Sequence, residues 1–458
     1  MRYFIKTFGC QMNVSDSERI AGFLEARQIL PAKDMPKADI VIFNTCGVRK
    51  MAEDRAYGQI HNLWKNNPKT KIIVTGCLAN RKDIQEKLKN KVALFCEIKD
   101  FPEKISNLKF KISNQIPISN DLISKKNNHS KFDNSKLNRN SKLKIQNSSN
   151  QPCDYLELTP NYSTPHTAYV PIMTGCNNFC SYCVVPYARG REVSRPAEEI
   201  LSEIKKLIKS GVKEITLLGQ NVNSYKSKKY NFEKLLKKVN TLPGNFWIRF
   251  MTPHPKDMTD GLIETITSLE KVCEAVHLPI QSGADAVLKN MNRKYSRAHY
   301  LQLIEKIKKG FAKNKPDQIF SLSSDIIVGF PGETKAQLEK TAGVMRKVNY
   351  DMVFFGQFSP RPGTAAFKMK DNVPKEEKVR REKYLNEILA ASALKNNEQY
   401  LKKIFPVLIM SEKNGNYFGY TRTLKNVKIQ TGRKNLVGKI IDIKITRVDI
   451  WNLEGKIV

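Results

Sequence analysis

The strongest chemical signal in the sequence is a group of three cysteines, Cys176, Cys180 and Cys183, which follows an apolar strand pattern. The spacing CxxxCxxC places three thiolates on one tight loop, where they can hold three irons of a 4Fe-4S cube. The fourth iron stays open for a small molecule that carries an amine and a carboxylate, and an electron can pass to that ligand. A zinc site of this kind usually needs a fourth Cys or His nearby. We therefore interpret the loop as an iron–sulfur site.

Three further cysteines, Cys10, Cys46 and Cys77, each follow an apolar run and precede a helical pattern. Strands that alternate with helices form a parallel sheet, and ligands collect beyond the carboxyl ends of its strands. We expect these cysteines to converge there, where helix N-termini favour thiolates. Three ligands suit either zinc with an open position or an iron–sulfur cluster with one open iron. The spacing of the cysteines alone does not distinguish these two sites. Three separate core cysteines are the simpler alternative.

The composition indicates a globular protein with a polyanionic partner. The chain has 458 residues, with 78 Lys+Arg against 44 Asp+Glu and a formal net charge of +34. This excess predicts nucleic acid as the partner, although a general bias towards Lys and Asn is an alternative. The sequence shows no apolar run of about 18 residues and no secretory signal. We expect a cytoplasmic protein with no membrane partner, whose nine cysteines bind metal or act in redox chemistry.

The elements that must position the cysteines divide the chain into four parts. Strand and helix patterns alternate over residues 1–106, with a capping box at 15–18. Residues 107–152 form a low-complexity insert or linker rich in Asn, Ser and Lys. The third part is 153–400, where the alternation resumes from about 166 to 370 and a charged helical stretch follows at 371–400. Residues 401–458 change to short alternating strands. The pattern of the third part predicts a partial (β/α)6 barrel, with its site at the carboxyl ends of the strands. The predicted strands are at 169–173, 214–218, 246–251, 275–278, 323–328 and 352–358.

Several longer motifs resemble the tRNA methylthiotransferase family of radical S-adenosylmethionine (SAM) enzymes. They stand in the family's order and cover nearly the whole chain, except residues 107–152 and a loosely matching stretch at about 90–106. Their wording is most similar to the branch that acts on isopentenylated adenosine. The motifs are TFGCQMN (7–13), NTCGVRKMAEDR (44–55), GC (76–77), CNNFCSYCVVPYARGREVSR (176–195), LLGQNVNSY (217–225), HLPIQSG (277–283), DIIVGFPGET (325–334) and SPRPGTAAF (359–367).

The resemblance implies an enzyme that methylthiolates carbon-2 of N(6)-isopentenyladenosine next to the anticodon of tRNA. One SAM would donate a methyl group to a cluster-bound sulfur, and a second would give a 5′-deoxyadenosyl radical that removes hydrogen from the adenine. A radical is needed because an unactivated aromatic C–H bond is not acidic. The resemblance also implies two 4Fe-4S clusters, a radical-SAM cluster on Cys176, Cys180 and Cys183 and an auxiliary cluster on Cys10, Cys46 and Cys77.

The same resemblance suggests which residues contact SAM. The residues lie in the cysteine loop and after the predicted strands: Tyr182 beside SAM, Gly219 and Gln220 near its amino-acid end, Ser282 near the ribose, and Val328 and Gly329 near the adenine. We assign no acid–base residue, and we interpret His254 and His277 as structural or cofactor-surrounding residues.

Residues 401–458 resemble the TRAM module, a small RNA-binding β-barrel. Tyr417, Phe418 and Tyr420 lie beside Arg422 and Lys425, a pattern that suits base stacking together with phosphate contact. An aromatic barrel core with a solvated basic rim is the alternative. The fold class expected for the whole chain is α/β: an N-terminal parallel-sheet domain, a central partial barrel and this C-terminal small β-barrel.

The resemblance also implies partners. They are the anticodon stem-loop of tRNA, an electron donor such as flavodoxin or ferredoxin, and a sulfur source, and we expect a monomer. Two other functions stay open: methylthiolation of threonylcarbamoyl-adenosine in tRNA or of a ribosomal-protein aspartate, and a non-enzymatic iron–sulfur redox sensor that binds RNA. Cys96, Cys153 and Cys273 match no ligand position and are interpreted as spare thiols.

Overall fold

The computed structural model describes residues 1–47, 50–107 and 155–458. The predicted insert at 107–152 lies outside these residues except for Asn107, and so does Cys153. The described residues form an N-terminal α/β domain, a central partial barrel and a C-terminal closed β-barrel. Within them, no helix has the length and apolar character that crossing a membrane requires.

The N-terminal domain is built on a parallel sheet of five strands. Its strands are β1 Arg2–Thr7, β2 Leu30–Pro31, β3 Ile40–Thr45, β4 Lys71–Gly76 and β5 Leu94–Phe95, and its helices are α1 Gln11–Glu25, α2 Lys50–Asn66, α3 Lys82–Leu88 and α4 Phe101–Asn107. The strand order is β2-β1-β3-β4-β5. Helices α1 and α4 cover one face, and α2 and α3 cover the other. The central strand β3 is therefore buried along its whole length, as its apolar run predicts.

The predicted capping box at 15–18 is wrong. Helix α1 begins at Gln11, with Cys10 as its N-cap residue. The chain turns directly from β1 into the helix through Gly9, whose φ is +122°. Asp16 and Glu18 therefore lie inside the helix, where they are buried against the central domain. A polar run that reads locally as a helix start is in fact an interface between two domains.

Six parallel strands with helices outside them form the central partial barrel, as predicted. They make two groups, β6-β9-β12 and β13-β14-β15, which a parallel bridge between Ile248 and Val272 joins. The six strands are β6 Thr167–Pro171, β9 Glu214–Leu218, β12 Trp247–Phe250, β13 Ala275–His277, β14 Ser321–Val328 and β15 Met352–Gln357. Four shorter strands form two separate antiparallel pairs, β7 Met173–Thr174 with β8 Val193–Ser194 and β10 Lys226–Ser227 with β11 Tyr230–Asn231.

Several helices around the barrel are amphipathic. Helix α6 shows why: its buried residues Ala197, Ile200, Ile204 and Leu207 recur at helical spacing and so form one apolar stripe. The helices are α5 Val185–Arg189, α6 Ala197–Lys209, α7 Phe232–Asn240, α8 Asp260–Ser268, α9 Asp285–Asn290, α10 Arg297–Asn314, α11 Lys335–Val348 and α12 Lys375–Glu398.

The C-terminal strands close into a small barrel in the order β16-β17-β18-β20-β19. Their alternating pattern points one set of side chains inward, as in β18, where Val427 and Ile429 are buried and Lys428 is exposed. Closure leaves no free strand edge. The strands are β16 Ile404–Lys413, β17 Asn416–Thr421, β18 Asn426–Gln430, β19 Ile440–Val448 and β20 Asn452–Ile457.

The C-terminal barrel packs against the amino-terminal ends of the central strands. Arg249 on β12 forms an ion pair of 2.6 Å with Glu214, the first residue of β9, and donates to the backbone carbonyls of Thr421 and Arg422. Arg422 in turn forms an ion pair with Glu274, which precedes β13. This barrel therefore lies opposite the edge from which the cysteine loop emerges.

The interface predicts a large effect of the substitution Arg249→Met. Both side chains of the Arg249–Glu214 pair are about 5–6% exposed, so the variant leaves Glu214 buried without its cation. We expect the free energy of unfolding to fall by about 3–5 kcal/mol, measured by urea unfolding followed by circular dichroism. The control is Lys306→Met, which removes an exposed partner of Asp260 and should cost about 0–1 kcal/mol. Equal unfolding midpoints for the two variants would contradict this role.

Candidate functional site

The structure brings Cys10, Cys46 and Cys77 to one edge of the N-terminal sheet. Cys46 and Cys77 directly follow the carboxyl ends of β3 and β4, Cys10 lies three residues after the end of β1, and these three strands are neighbours. The backbones approach so closely that a side chain on Gly9 would place its Cβ 2.6 Å from Cβ of Cys46. Cys46 and Cys77 are buried, and Cys10 is exposed. We call these residues the N-terminal cysteine trio.

A buried network of polar side chains fixes the strand ends that carry this trio. The amide of Asn13 donates to Oδ1 of Asn44 and to the carbonyl of Thr45, both at 3.0 Å. Asn44 donates back to the carbonyl of Asn13 at 2.8 Å. The hydroxyl of Thr45 donates to the carbonyl of Thr75 at 2.6 Å. These bonds connect helix α1, β3 and β4 behind the cysteines, so the three loops are held in one arrangement.

Cys176, Cys180 and Cys183, the second trio, lie on the loop that follows β6 and β7 at the carboxyl edge of the central barrel. Burial raises the pKa of the Cys176 thiol and raises that of Cys183 to about 12. These two thiols therefore keep their protons at neutral pH, and metal binding must release them. Arg293, which the sequence analysis missed, donates from Nη1 to Sγ of Cys180 at 3.3 Å. We call Cys176, Cys180 and Cys183 the barrel cysteine trio.

The loops that carry the two trios meet where the N-terminal domain packs against the barrel. A Cβ on Gly47, the neighbour of Cys46, would lie 3.3 Å from Cβ of Cys77 and 3.2 Å from Cγ2 of Val184. Val184 directly follows Cys183, so the two cysteine-bearing loops are in contact. After burial, the neighbouring thiols, Cys77 among them, contribute to the raised pKa of Cys183. The arrangement places two groups of three thiols on either side of one junction.

The donor atoms of both trios suit iron–sulfur clusters. Within the described part of the chain, no three side chains of Cys, His, Asp or Glu are grouped closely enough to hold one metal ion. A single zinc ion draws every thiolate to about 2.3 Å from itself. A cube instead binds each thiolate through a different iron, so its ligands stand further apart. All-thiolate ligation is the usual ligation of such cubes.

The residues expected to contact SAM lie at the carboxyl ends of the barrel strands, beside the barrel trio. Gly219 and Gln220 follow β9, and Val328 is the last residue of β14. Oε1 of Gln220 is buried and has no hydrogen-bond partner among the described residues. The carbonyl of Gly219 accepts from the hydroxyl of Thr252 at 2.7 Å. The orphaned oxygen of Gln220 therefore offers an acceptor for a ligand that carries an amine.

The other three expected contacts have partners of different kinds. Ser282 is fully buried, and its hydroxyl oxygen accepts from the backbone N–H of Ala284 at 3.3 Å, which leaves its own proton to donate. Tyr182 is partly buried, and its ring packs against the hydrophobic core group that contains Phe330. The backbone N–H of Gly329 already donates to Glu333 at 2.8 Å. A contact between Gly329 and an adenine would therefore need another of its atoms.

The predicted RNA role of four C-terminal residues is wrong. Tyr417 is 2% exposed and belongs to the core of the C-terminal barrel. Tyr420 donates to Glu214, Arg422 pairs with Glu274, and Lys425 pairs with Asp351, all across the interface with the central barrel. Only Phe418 of the aromatic group remains exposed. The alternating pattern shows which residues point outward, but it does not show that another domain covers them.

Neither histidine near the strand ends is placed to act as a base. Burial, helped by Arg293 and Lys256, lowers the pKa of His254 to about 2, so this imidazole is neutral. Its Nδ1 accepts from the backbone N–H of Lys256 and thereby caps a short helix. His277 lies with Nδ1 2.9 Å from the hydroxyl of Ser323.

Comparisons with known proteins match both cysteine-bearing domains. Residues 170–345 match the radical SAM superfamily, and residues 2–96 match uncharacterized protein family UPF0004. One solved structure, a radical S-adenosylmethionine methyltransferase from Kitasatospora setae with cobalamin and a [4Fe-4S] cluster bound, has a TM-score of 0.52 at 12% identity. That alignment covers 80% of this chain and 73% of the other. At this identity the likeness supports the fold alone.

Three relatives carry the name tRNA-2-methylthio-N(6)-dimethylallyladenosine synthase. The protein from Clostridium botulinum (strain Hall) is 41% identical over 99% of this chain and 96% of its own length. Those from Thermoanaerobacter pseudethanolicus and Carboxydothermus hydrogenoformans are each 39% identical over 100% of this chain, and over 92% and 99% of their own lengths. The chain therefore belongs to the radical SAM tRNA methylthiotransferases, in the family of tRNA-2-methylthio-N(6)-dimethylallyladenosine synthase.

Proposed function

We propose that the protein methylthiolates carbon-2 of N(6)-isopentenyladenosine next to the anticodon of tRNA. The single observation that carries this proposal is the contact between the two cysteine-bearing loops at the carboxyl edge of a radical SAM barrel. A transfer of sulfur and methyl to an unactivated carbon needs a radical source and a sulfur source close to the same base. Two separate thiolate sites that meet at one junction suit that requirement.

We assign the two cofactor sites to the two trios. The barrel trio would hold the cluster that binds SAM, and the N-terminal trio would hold a second cluster. When bound, the barrel cluster would supply the electron that converts SAM into a carbon radical, and the second cluster would supply the sulfur that is transferred. The chain itself supplies the thiolates, four of them buried, and strand ends that the amides of Asn13 and Asn44 hold in place.

Several residues would orient SAM at the barrel edge. Oε1 of Gln220 would accept from the amine of SAM, because this oxygen is buried and lacks a partner among the described residues. The hydroxyl of Ser282 would donate to the ribose, and the ring of Tyr182 would pack beside the ligand. Gly219, Val328 and Gly329 would line the remaining space with backbone, which is how strand ends of such barrels contact ligands.

The outer face of the C-terminal barrel is proposed to bind the tRNA. Residues 401–458 contain twelve Lys and Arg, and all except Arg422 and Lys425 are exposed. Lys444 and Lys456 are direct cross-strand partners, an arrangement that is unfavourable for like charges unless an anion lies between them. The exposed ring of Phe418 lies opposite Lys428 and could stack with a base.

The proposed reaction needs two further partners. An electron donor such as flavodoxin or ferredoxin would reduce the barrel cluster, and a sulfur source would renew the transferred atom. We propose that the protein works as a monomer in the cytoplasm.

The proposed substrate is tested in a strain that lacks the corresponding gene. We expect the wild-type chain to restore 2-methylthio-N(6)-isopentenyladenosine in bulk tRNA, measured by mass spectrometry of nucleosides. Cys10→Ala and Cys176→Ala should restore none, whereas Cys273→Ala, a buried cysteine away from both trios, should restore wild-type levels. Recovery of the methylthio derivative of threonylcarbamoyl-adenosine instead would refute the assigned base.

The two cofactor sites are tested by iron and sulfide content after anaerobic reconstitution. We expect about eight irons in the wild type and about four in each of Cys10→Ala and Cys176→Ala, because each variant loses one cube. Cys273→Ala should keep the full content. Retention of about eight irons in Cys10→Ala would remove the N-terminal trio from the proposal.

The tRNA face is tested with Lys444→Gln and Lys456→Gln. Each variant should weaken tRNA binding and reduce the slope of log affinity against log salt by about one, because each removes one phosphate contact. The matched control is Lys237→Gln with Lys238→Gln on α7, which removes two exposed lysines from the central domain. Equal losses in both sets would indicate a general charge effect and would contradict a specific face.

A further inference from the structure

Two buried arginines reach from the central barrel to carboxylates of the N-terminal domain. Arg189, at the end of α5, forms an ion pair with Asp16 on α1 at 2.6 Å, with side chains 4% and 0% exposed. Arg361, in the loop after β15, forms an ion pair with Glu53 on α2 at 3.1 Å, with side chains 6% and 3% exposed. Each pair joins the two domains, one through α1 and the other through α2.

Both arginines pair with helices that begin close to the N-terminal cysteine trio: α1 begins directly after Cys10, and α2 begins four residues after Cys46. The guanidinium of Arg189 interacts electrostatically with the thiol of Cys77, and that of Arg361 interacts with Cys46. Glu53 also pairs with Arg81 at 2.9 Å, so two guanidinium groups share this one carboxylate. Arg81 pairs in addition with Asp83, so each of these guanidinium groups is balanced by a carboxylate, and loss of Arg189 or Arg361 alone would leave an unbalanced negative charge.

The Arg189–Asp16 pair is incompletely satisfied. Nη1 of Arg189 and Oδ1 of Asp16 are both buried, and neither has a hydrogen-bond partner among the residues that the structure describes. A buried donor without a partner costs free energy. A buried ion pair is also weak evidence for stability, because desolvation offsets the attraction. Interdomain adhesion alone therefore does not account for the unpaired Nη1 of Arg189, and an anion held by the N-terminal cysteine trio would accept from its free N–H.

We propose that Arg189 and Arg361 are positioning residues that set the reduction potential of the cluster held by Cys10, Cys46 and Cys77, an inference that rests on the proposed function. A cube ligated by three thiolates is anionic, and reduction adds one more negative charge. Buried cations interact strongly in a medium of low dielectric, so they favour the reduced form. Charge near a cluster and hydrogen bonds to its sulfurs are known determinants of its potential.

Asp16 provides a test of opposite sign. Its carboxylate partly cancels the charge of Arg189 at the same position. Replacement by the isosteric amide in Asp16→Asn would leave Arg189 with its full charge beside the cluster. A purely structural interface predicts instead that Arg189→Gln and Asp16→Asn have effects of the same kind, because both break the same pair.

The experiment uses the full chain with Cys176→Ala, Cys180→Ala and Cys183→Ala, so that only the N-terminal cluster remains. Its potential is measured by a redox titration followed by electron paramagnetic resonance. We expect Arg189→Gln and Arg361→Gln each to shift the reduction equilibrium about tenfold towards the oxidised form, about 59 mV for one electron. Asp16→Asn should shift it towards the reduced form. Arg189→Lys, which keeps the charge, should stay near the parent.

The matched control is Arg19→Gln. Arg19 lies one turn after Asp16 on α1 and is as buried as Arg189. It pairs across the same interface with Glu203 at 2.9 Å. We expect it to leave the potential unchanged. An unchanged potential in Arg189→Gln and Arg361→Gln, or shifts of the same sign in Arg189→Gln and Asp16→Asn, would overturn the inference while the cluster assignment stands. Failure of the triple-cysteine parent to bind about four irons would overturn the cluster assignment itself, and with it this inference.

Discussion

The proposed chemistry of this protein depends on one constraint: two groups of three thiols must lie next to each other across a domain boundary. No single stretch of the chain carries both groups. The N-terminal trio is placed by parallel strand ends and by the amides of Asn13 and Asn44, and the barrel trio is placed by one loop. The register between the two rests on the contact at Gly47 and on the buried pair of Asp16 with Arg189. Any change that moves the N-terminal domain moves one cofactor site away from the other.

The two ends of the central barrel contact different domains. Its carboxyl edge carries the cysteine loop and meets the N-terminal domain, while its amino-terminal edge is closed by the C-terminal barrel through Arg249 and Glu214. The proposed tRNA face is on the outside of that C-terminal barrel. A tRNA bound there would have to pass along the central barrel for its base to reach the carboxyl edge. Single-stranded loop bases can be splayed from their stack, which makes this geometry chemically reasonable.

The sequence predicted the parts of the site that follow from local order. Cysteines after successive apolar runs indicated one sheet edge, because parallel strands share a direction, and the barrel strands were placed within a few residues. The same reasoning could not find Arg189 with Asp16, because 173 positions separate them and no periodic pattern connects them. It also misassigned Arg422 and Lys425, because an outward-pointing residue can face another domain as well as solvent. Long-range pairing across domains is what the sequence pattern lacked.

The most direct test of the account is the position of iron in crystals of the anaerobically reconstituted protein, located by anomalous scattering at the iron edge. The account predicts two separate iron sites, one at Cys10, Cys46 and Cys77 and one at Cys176, Cys180 and Cys183, on opposite sides of the contact between Gly47 and Val184. A single iron site at the barrel loop, or a second site away from the N-terminal strand ends, would contradict it.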